Sequence, residues 1–419
     1  MTSTINKYTN VKFVILFLLF VFSGAYLANI TIFSPVYFSF ILSFPLFIVY
    51  LLLYGNFKNN SQIILLYIFM LILFLYIFLQ MLITSSSKKI DSYILYHALS
   101  FVYLPIVIIF YQQLNVNLIK FIIKKYLFIS TLFLIIDALR RFMLVGDDYF
   151  SSFYNFKFNG IMFMDSNFSA FYAMTNFAFM YYLKENKFMI ISKYYLFLQF
   201  FIILLNFSRA AIIAILIFIF LCWLRKQNNA FKFISIFLLP VLIFMIYNYA
   251  SNDSSGHMKF KIITGTIKYI KGASVNQLCF GNGIFSSKDI LGMEAHNFIS
   301  NDIIEFGFIF LFFRIILFML LFIITNKYFA YILIPYLIAG LSMTPGSIPY
   351  FYAIAGMMYV LKDFNNAKET LSNSLCGTKR KAHGAQEPRH IQKYVEVTNT
   401  AQRSDSHAQR ITQRFPKPI

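Results

Sequence analysis

Charge is scarce in this chain. Only 12% of its 419 residues are Asp, Glu, Lys or Arg, about half the roughly 25% of an ordinary soluble domain, which argues against a free-standing soluble fold. Cysteine is sparse too. Cys222 falls near a cytoplasmic helix end, Cys279 in an outer loop and Cys376 in the C-terminal tail, placements that allow no internal disulfide and suggest neither a zinc nor a redox role. No cluster of Asp and Glu stands beside a histidine at metal-ligand spacing, so a metal-assisted mechanism is not expected. No glycine-rich loop of the nucleoside-triphosphate type is present. No repeated segment links the two halves, which weighs against the repeat architecture of many secondary transporters. No convincing small-residue cleavage site follows the first apolar stretch, so Val11 to Ile30 reads as a span and not a signal peptide.

What fills the chain is apolar. It is 59% hydrophobic and 20% aromatic, the composition of an all-α integral membrane protein. At about 20 apolar residues per span, roughly twelve transmembrane helices are expected. They run approximately over 11–31, 34–54, 62–84, 92–112, 119–139, 160–183, 190–207, 210–224, 231–250, 298–324, 328–344 and 347–362, and 190–224 reads equally as one bent hairpin. Lys7, Lys12, Lys58, Lys184, Lys187, Arg225, Lys226, Lys232 and Lys327 then share one side, which the positive-inside rule makes cytoplasmic, together with both termini. Lys88, Lys89, Arg140 and Arg141 fall on the other side and break the rule. The long loop of residues 251–300 faces outward.

The formal charge of +20 divides between this topology signal and the tail. Residues 1–362 form the membrane domain. The segment 363–419 reads as a basic, disordered cytoplasmic appendage, because beyond Cys376 Phe and Ile almost vanish while Arg, Gln, His and Thr become common. It lacks regularly spaced aromatic stacking positions, so nucleic acid is not an expected partner.

Ionisable groups in hydrocarbon cost about 2.5–3.5 kcal/mol on insertion scales and need a partner, a cavity or an interface. Asp137 and Arg141 lie four apart and suit a pair on one helix face; with Arg140 they also sit where an outer-side substrate could meet them. Arg314 lies deeper, where a satisfied contact between helices is the plain reading. Arg209, in Leu205-Asn-Phe-Ser-Arg-Ala210, stands between two spans joined by almost no loop, with no acidic residue within a turn. Its planar fork suits phosphate oxygens, and an interfacial snorkelling arginine suits the same position.

The outer loop opens with Phe260, Ile263, Ile267 and Ile270 at helical spacing and Lys261, Lys268 and Lys271 toward another face. That pattern predicts a basic amphipathic helix lying on the membrane surface or serving as a solvated lid; Lys259 precedes it and points elsewhere. Gly281-Asn-Gly283 predicts a tight turn. His296 follows, a neutral base near pH 7 able to accept a hydroxyl proton, although lone histidines are more often structural. Asn297 would orient it or bind a sugar, and Glu305 would support it from the next helix.

Three segments in order resemble the O-antigen polymerase and ligase superfamily of bacterial envelope glycan assembly. They are Lys157-Phe-Asn-Gly160 through Asp165-Ser-Asn167, then Ser208-Arg209-Ala210, then Gly281-x-Gly283 leading to His296-Asn297 and Glu305-x-Gly307. The resemblance covers about residues 155–310. It implies a multi-pass protein of the bacterial inner membrane with its active site facing the periplasm. The implied substrate is a polyprenyl (undecaprenyl) diphosphate-linked oligosaccharide, handled without a cofactor, with a chain-length regulator as a membrane partner. It implies catalysis by Arg209 and His296, a cavity lined by Lys157 and Asn167, and a loop cation at Lys259 or Lys261. Family members usually carry arginine at the register of Lys259, and lysine supplies charge without a bidentate fork.

Overall fold

The computed structural model describes residues 14, 17–27, 30, 34–54, 61–85, 92–111, 114–144, 156–157, 160–163, 165–229, 231, 254–343 and 348–362. All the described residues lie in one unit of the chain, Met1–Asp363. The expected tail and nearly all of the expected span 231–250 lie outside the described residues.

The fold is all-helical, with 81% helix and no strand among the described residues. In chain order the helices are α1 (Pro35–Tyr54), α2 (Ser61–Ser85), α3 (Ser92–Tyr111), α4 (Val116–Leu144), α5 (Ser166–Glu185), α6 (Lys193–Leu205) and α7 (Arg209–Arg225). The polar segment adds α8 (Ser254–Gly272), α9 (Val275–Phe280), α10 (Ser286–Leu291) and the single turn α11 (Phe298–Asn301). A π-helical turn over Asp302–Phe306 leads into α12 (Gly307–Ile324), followed by α13 (Ala330–Gly340). Two helical stretches, Ser61–Leu82 and Phe298–Ile324, are long and apolar enough to cross a membrane.

Helix starts follow side-chain chemistry. Asp165 opens α5 by accepting the Asn167 N–H at 2.8 Å, and Ser192 opens α6 by accepting from Tyr195. Ser274 and Gln277 form a reciprocal capping box on α9, satisfying N–H groups that have no partner inside the helix.

Helices α5, α7 and α13 pack against one another, and the last two run antiparallel. At one end, the Glu185 carboxylate of α5 accepts from the Arg225 guanidinium of α7 and from the Tyr331 hydroxyl of α13. At the other end, Ser208 before α7 reaches the Met343 sulfur after α13 at 4.0 Å. Lys184, Lys187, Arg225, Lys226 and Lys327 thus follow the helix ends gathered near Glu185. Arg209 stands at the opposite end of α7.

The stretch Phe298–Ile324 is not one rod. Twelve residues of straight helix would separate Asp302 from Arg314 by about 18 Å, yet Arg314 Nη1 donates to Asp302 Oδ2 at 2.6 Å. The break is Gly307, at φ 80° and ψ 173°. There the π turn folds back beside α12, and the guanidinium of Arg314 lies 5.0 Å from the Phe310 ring centre. Arg314 is held, as a buried arginine must be. Its partner precedes a break in the same helical stretch, where the sequence suggested a contact between helices.

Candidate functional site

The Gly281-Asn-Gly283 and Glu305-Phe-Gly307 motifs meet. Gly281 and Gly307 both have positive φ, 78° and 80°, a region that L side chains avoid. A Cβ on Gly281 would collide with the backbone of Glu305 and Phe306, and one on Gly307 with the backbone of Cys279 and Gly281. The two glycines let two chain segments touch main chain to main chain. Across that contact, Asn282 N–H donates to Ile304 O at 2.8 Å and Gly283 N–H to Glu305 O at 3.1 Å. Helix α2 supplies the clasp: Tyr76 Oη donates to Phe306 O, and Gln80 Nε2 donates to Phe280 O at 2.6 Å. Tyr76 and Gln80 escaped notice in the sequence, although two polar groups one turn apart on an apolar helix are the signal that finds them.

Glu305 is buried. Its Oε1 accepts from Ser287 Oγ at 2.6 Å and its Oε2 from Asn301 Nδ2 at 3.3 Å. The carboxyl group is therefore seated at the start of α10. The expectation that it backs His296 gives way to this role. Asn297 is likewise committed to the fold. Its Oδ1 accepts from Ile299 N–H and Ser300 N–H to cap α11, and its Nδ2 donates to Leu341 O at 3.2 Å. These bonds use its amide to place the histidine segment, not to orient the imidazole.

His296 itself is exposed at the surface, its backbone N–H donating to Glu294 O at 2.9 Å. Arg209, also exposed, is the first residue of α7. Their neighbours Asn297 and Ser208 contact Leu341 and Met343, which lie two positions apart after α13. Residues distant in sequence are thus brought to the flanks of one short turn.

Helix α8 shows three faces. Ile262 and Thr266 are buried, Ile263 and Ile267 are exposed, and Lys261 and Lys268 project from a third side. An open cavity of about 630 Å³ is lined by Lys261, Lys268, Tyr269, Gln277, Asn282 and Leu291 among others. Asn282 Nδ2 donates to Tyr269 Oη, which donates onward to Gln277 O at 3.2 Å; partial burial raises the Tyr269 phenol above its usual range. Lys259 does not line this cavity. Two residues on a helix turn about 200°, so Lys259 and Lys261 cannot serve one site from the same face.

The remaining residues singled out in the sequence gather elsewhere. Arg141 is fully buried and uses all five of its N–H groups. Nε bonds Asp137 Oδ2 at 3.0 Å, Nη1 bonds Phe156 O and Lys157 O, and Nη2 bonds Phe163 O and Ser169 Oγ. Asp137 is as full, accepting also from Ser169 Oγ and from Ile161 N–H and Met162 N–H. No donor of Arg141 is left for a substrate, and its assignment as a binding residue is withdrawn. Lys157 contributes its carbonyl to this network, and its side chain is half-buried. Asn167 is half-buried and donates to Asp165 Oδ2 at 3.1 Å. Arg140 is half-buried and stands outside the network.

Among the described residues, no three His, Cys, Asp or Glu side chains converge as metal ligands. Cys222 and Cys279 are free thiols. No protein-family model matches the chain, and no curated protein matches it in sequence.

Proposed function

We propose that the chain is a membrane glycosyltransferase that joins polyprenyl-diphosphate-linked oligosaccharide units, a repeat-unit polymerase of the O-antigen type. The observation that supports this reading is that Ser208 and Asn297, the neighbours of Arg209 and His296, both reach residues 341–343, at the end of α7 remote from the basic cluster around Glu185. In this reading α1 to α7, α12, α13 and the apolar segments around them make about twelve spans of a bacterial inner membrane. The basic end is cytoplasmic, and α8 to α11 stand on the periplasmic side.

The chemistry follows from the donor. A lipid diphosphate is already a good leaving group, so the reaction calls for cations more than for a covalent nucleophile. Arg209 would meet the developing charge on the diphosphate with its bidentate fork. Lys261, which lines the cavity, fits the role of the loop cation better than Lys259. His296 would take the proton of the acceptor hydroxyl as it attacks the anomeric carbon. The C–O bond to the diphosphate breaks as the glycosidic bond forms, with inversion at that carbon. The exposed Ile263 and Ile267 of α8 would rest in the outer leaflet.

Reconstituted protein and lipid-linked repeat units provide the test. His296→Ala and Arg209→Ala variants are expected to abolish elongation at normal abundance; if both elongate normally, the enzymatic reading fails. Deleting the gene separates a polymerase, whose loss leaves single repeat units on lipopolysaccharide, from a ligase, whose loss leaves none.

A further inference from the structure

The open cavity beside α8 holds a second cation. Lys268 lines it seven residues after Lys261, so the two side chains leave one side of the helix, within about 20° of each other and about 10 Å apart along its axis. No carboxylate is among the residues that line the cavity, and among the described residues neither lysine forms an ion pair. Gly265 seats α8 close to α10 here: a Cβ on it would come within 2.9 Å of Leu291 Cδ2.

The hydrogen-bonding capacity left on the lining residues gives the character of a ligand. Tyr269 Oη is filled, accepting from Asn282 Nδ2 and donating to Gln277 O at 3.2 Å. Thr264 Oγ1 turns back to the carbonyls of Phe260 and Lys261 in its own helix. Gln277 Oε1 accepts from Ser274 N–H at 2.9 Å and from Ser274 Oγ at 3.0 Å, which leaves its Nε2. Asn282 Nδ2 also reaches Ile304 O at 3.3 Å, which leaves its Oδ1. Two ammonium groups and one amide NH2 thus remain against a single amide oxygen. Such an excess of cations and donors calls for a ligand that is negatively charged and rich in acceptors. The rest of the lining suits sugar rings, whose C–H faces pack on apolar walls: Tyr269, pinned by its hydroxyl, together with Ile290 and Leu291.

We propose that this cavity binds an acidic oligosaccharide, with Lys268 on a sugar carboxylate, and so selects repeat units that carry an acidic sugar. The inference rests on the reading above for what reaches the cavity and goes further in naming the class of saccharide. Lys261 serves the diphosphate in that reading, and Lys268, two turns further along α8, then meets the sugars. The openness of the cavity suits a glycan that continues beyond it.

The test reads binding and not elongation. Full-length protein in nanodiscs is titrated with trigalacturonate, with neutral galactotriose and with inorganic phosphate, and saturation-transfer NMR gives the affinity of each. Trigalacturonate is expected to bind, more weakly as salt is raised, and galactotriose at least about fivefold more weakly. Lys268→Gln is expected to lose about fivefold in trigalacturonate affinity, the upper scale of a solvent-exposed ion pair. Lys268→Arg is expected to keep it, as is Lys271→Gln, which alters an exposed lysine of α8 outside the cavity. Equal binding of the neutral sugar overturns the inference, as does an unchanged affinity in Lys268→Gln or an equal loss in Lys271→Gln. Phosphate that displaces trigalacturonate at equal concentration also overturns it, and marks a site for simple anions. If trigalacturonate does not bind while elongation requires Arg209 and His296, the acidic-sugar inference alone falls; if it binds while both alanine variants elongate normally, the enzymatic reading alone falls.

Discussion

Asp137–Arg141 and Asp302–Arg314 are both aspartate–arginine pairs sealed from solvent, with every side chain at most 3% exposed, yet they are assembled differently. The first pair sits four residues apart on one helix and binds the 156–169 segment through carbonyls, amides and Ser169. The second spans twelve residues and exists because the helix breaks at Gly307. The first uses all three guanidinium nitrogens; in the second, Arg314 Nε makes no hydrogen bond. A buried charge is tolerated where its hydrogen bonds are complete. By that measure Asp137–Arg141 is the anchor of a loop, and Asp302–Arg314 the fastening of a fold-back.

The largest effect is expected from breaking the saturated pair. Arg141→Met leaves the Asp137 carboxylate buried without its countercharge, which lowers stability by about 3–5 kcal/mol; unfolding in detergent measures it. A loss near zero would show that the network does not anchor the loop. Adding Asp137→Ala to that variant is expected to restore part of the loss, since no isolated charge remains.

Next comes the break that creates the second pair. Gly307→Ala forces a Cβ against the Cys279 and Gly281 backbone at positive φ, with an expected penalty of about 1–3 kcal/mol. Gly281→Ala acts on the same contact, so the double variant is expected to lose clearly less than the sum. Additive losses would mean that the two glycines serve separate purposes.

Exchanging arginine for lysine at both sites compares the pairs directly. Arg141→Lys abandons most of a five-bond fan and is expected to lose at least about 2 kcal/mol, whereas Arg314→Lys keeps a point charge near Asp302 and is expected to lose about 1 kcal/mol. Equal losses would erase the distinction between anchor and fastening.

The smallest stability effect belongs to His296→Ala, within about 0.5 kcal/mol for an exposed side chain. Its elongation rate is nonetheless expected to fall about 10²–10⁴-fold if the imidazole is the general base. An elongation rate that stays at the wild-type level in His296→Ala would take the imidazole out of the proton transfer.

Much of this contrast was legible before the structure. The i,i+4 spacing of Asp137 and Arg141 announces their pairing, and the periodicity of 258–271 announces α8, because helical neighbours are a matter of counting residues. The carbonyls around Arg141 were not legible, and a residue that looked available to substrate proves fully occupied. Likewise Asn297 and Glu305 resemble catalytic auxiliaries by order and spacing, whereas the fold spends their hydrogen bonds on capping α11 and seating α10.

Composition and periodicity by themselves determined the apolar all-helical character, the basic amphipathic helix and the set of polar residues clustered outside the long apolar runs. These properties depend on solvation and local helix geometry, which each short segment carries within itself. Only the tertiary structure decided which polar groups are already satisfied, that the two glycine motifs are halves of one clasp, and that the neighbours of Arg209 and His296, Ser208 and Asn297, reach one short turn. Those outcomes depend on the positive backbone φ at Phe207, Gly281 and Gly307, and a few backbone angles there set which distant residues meet.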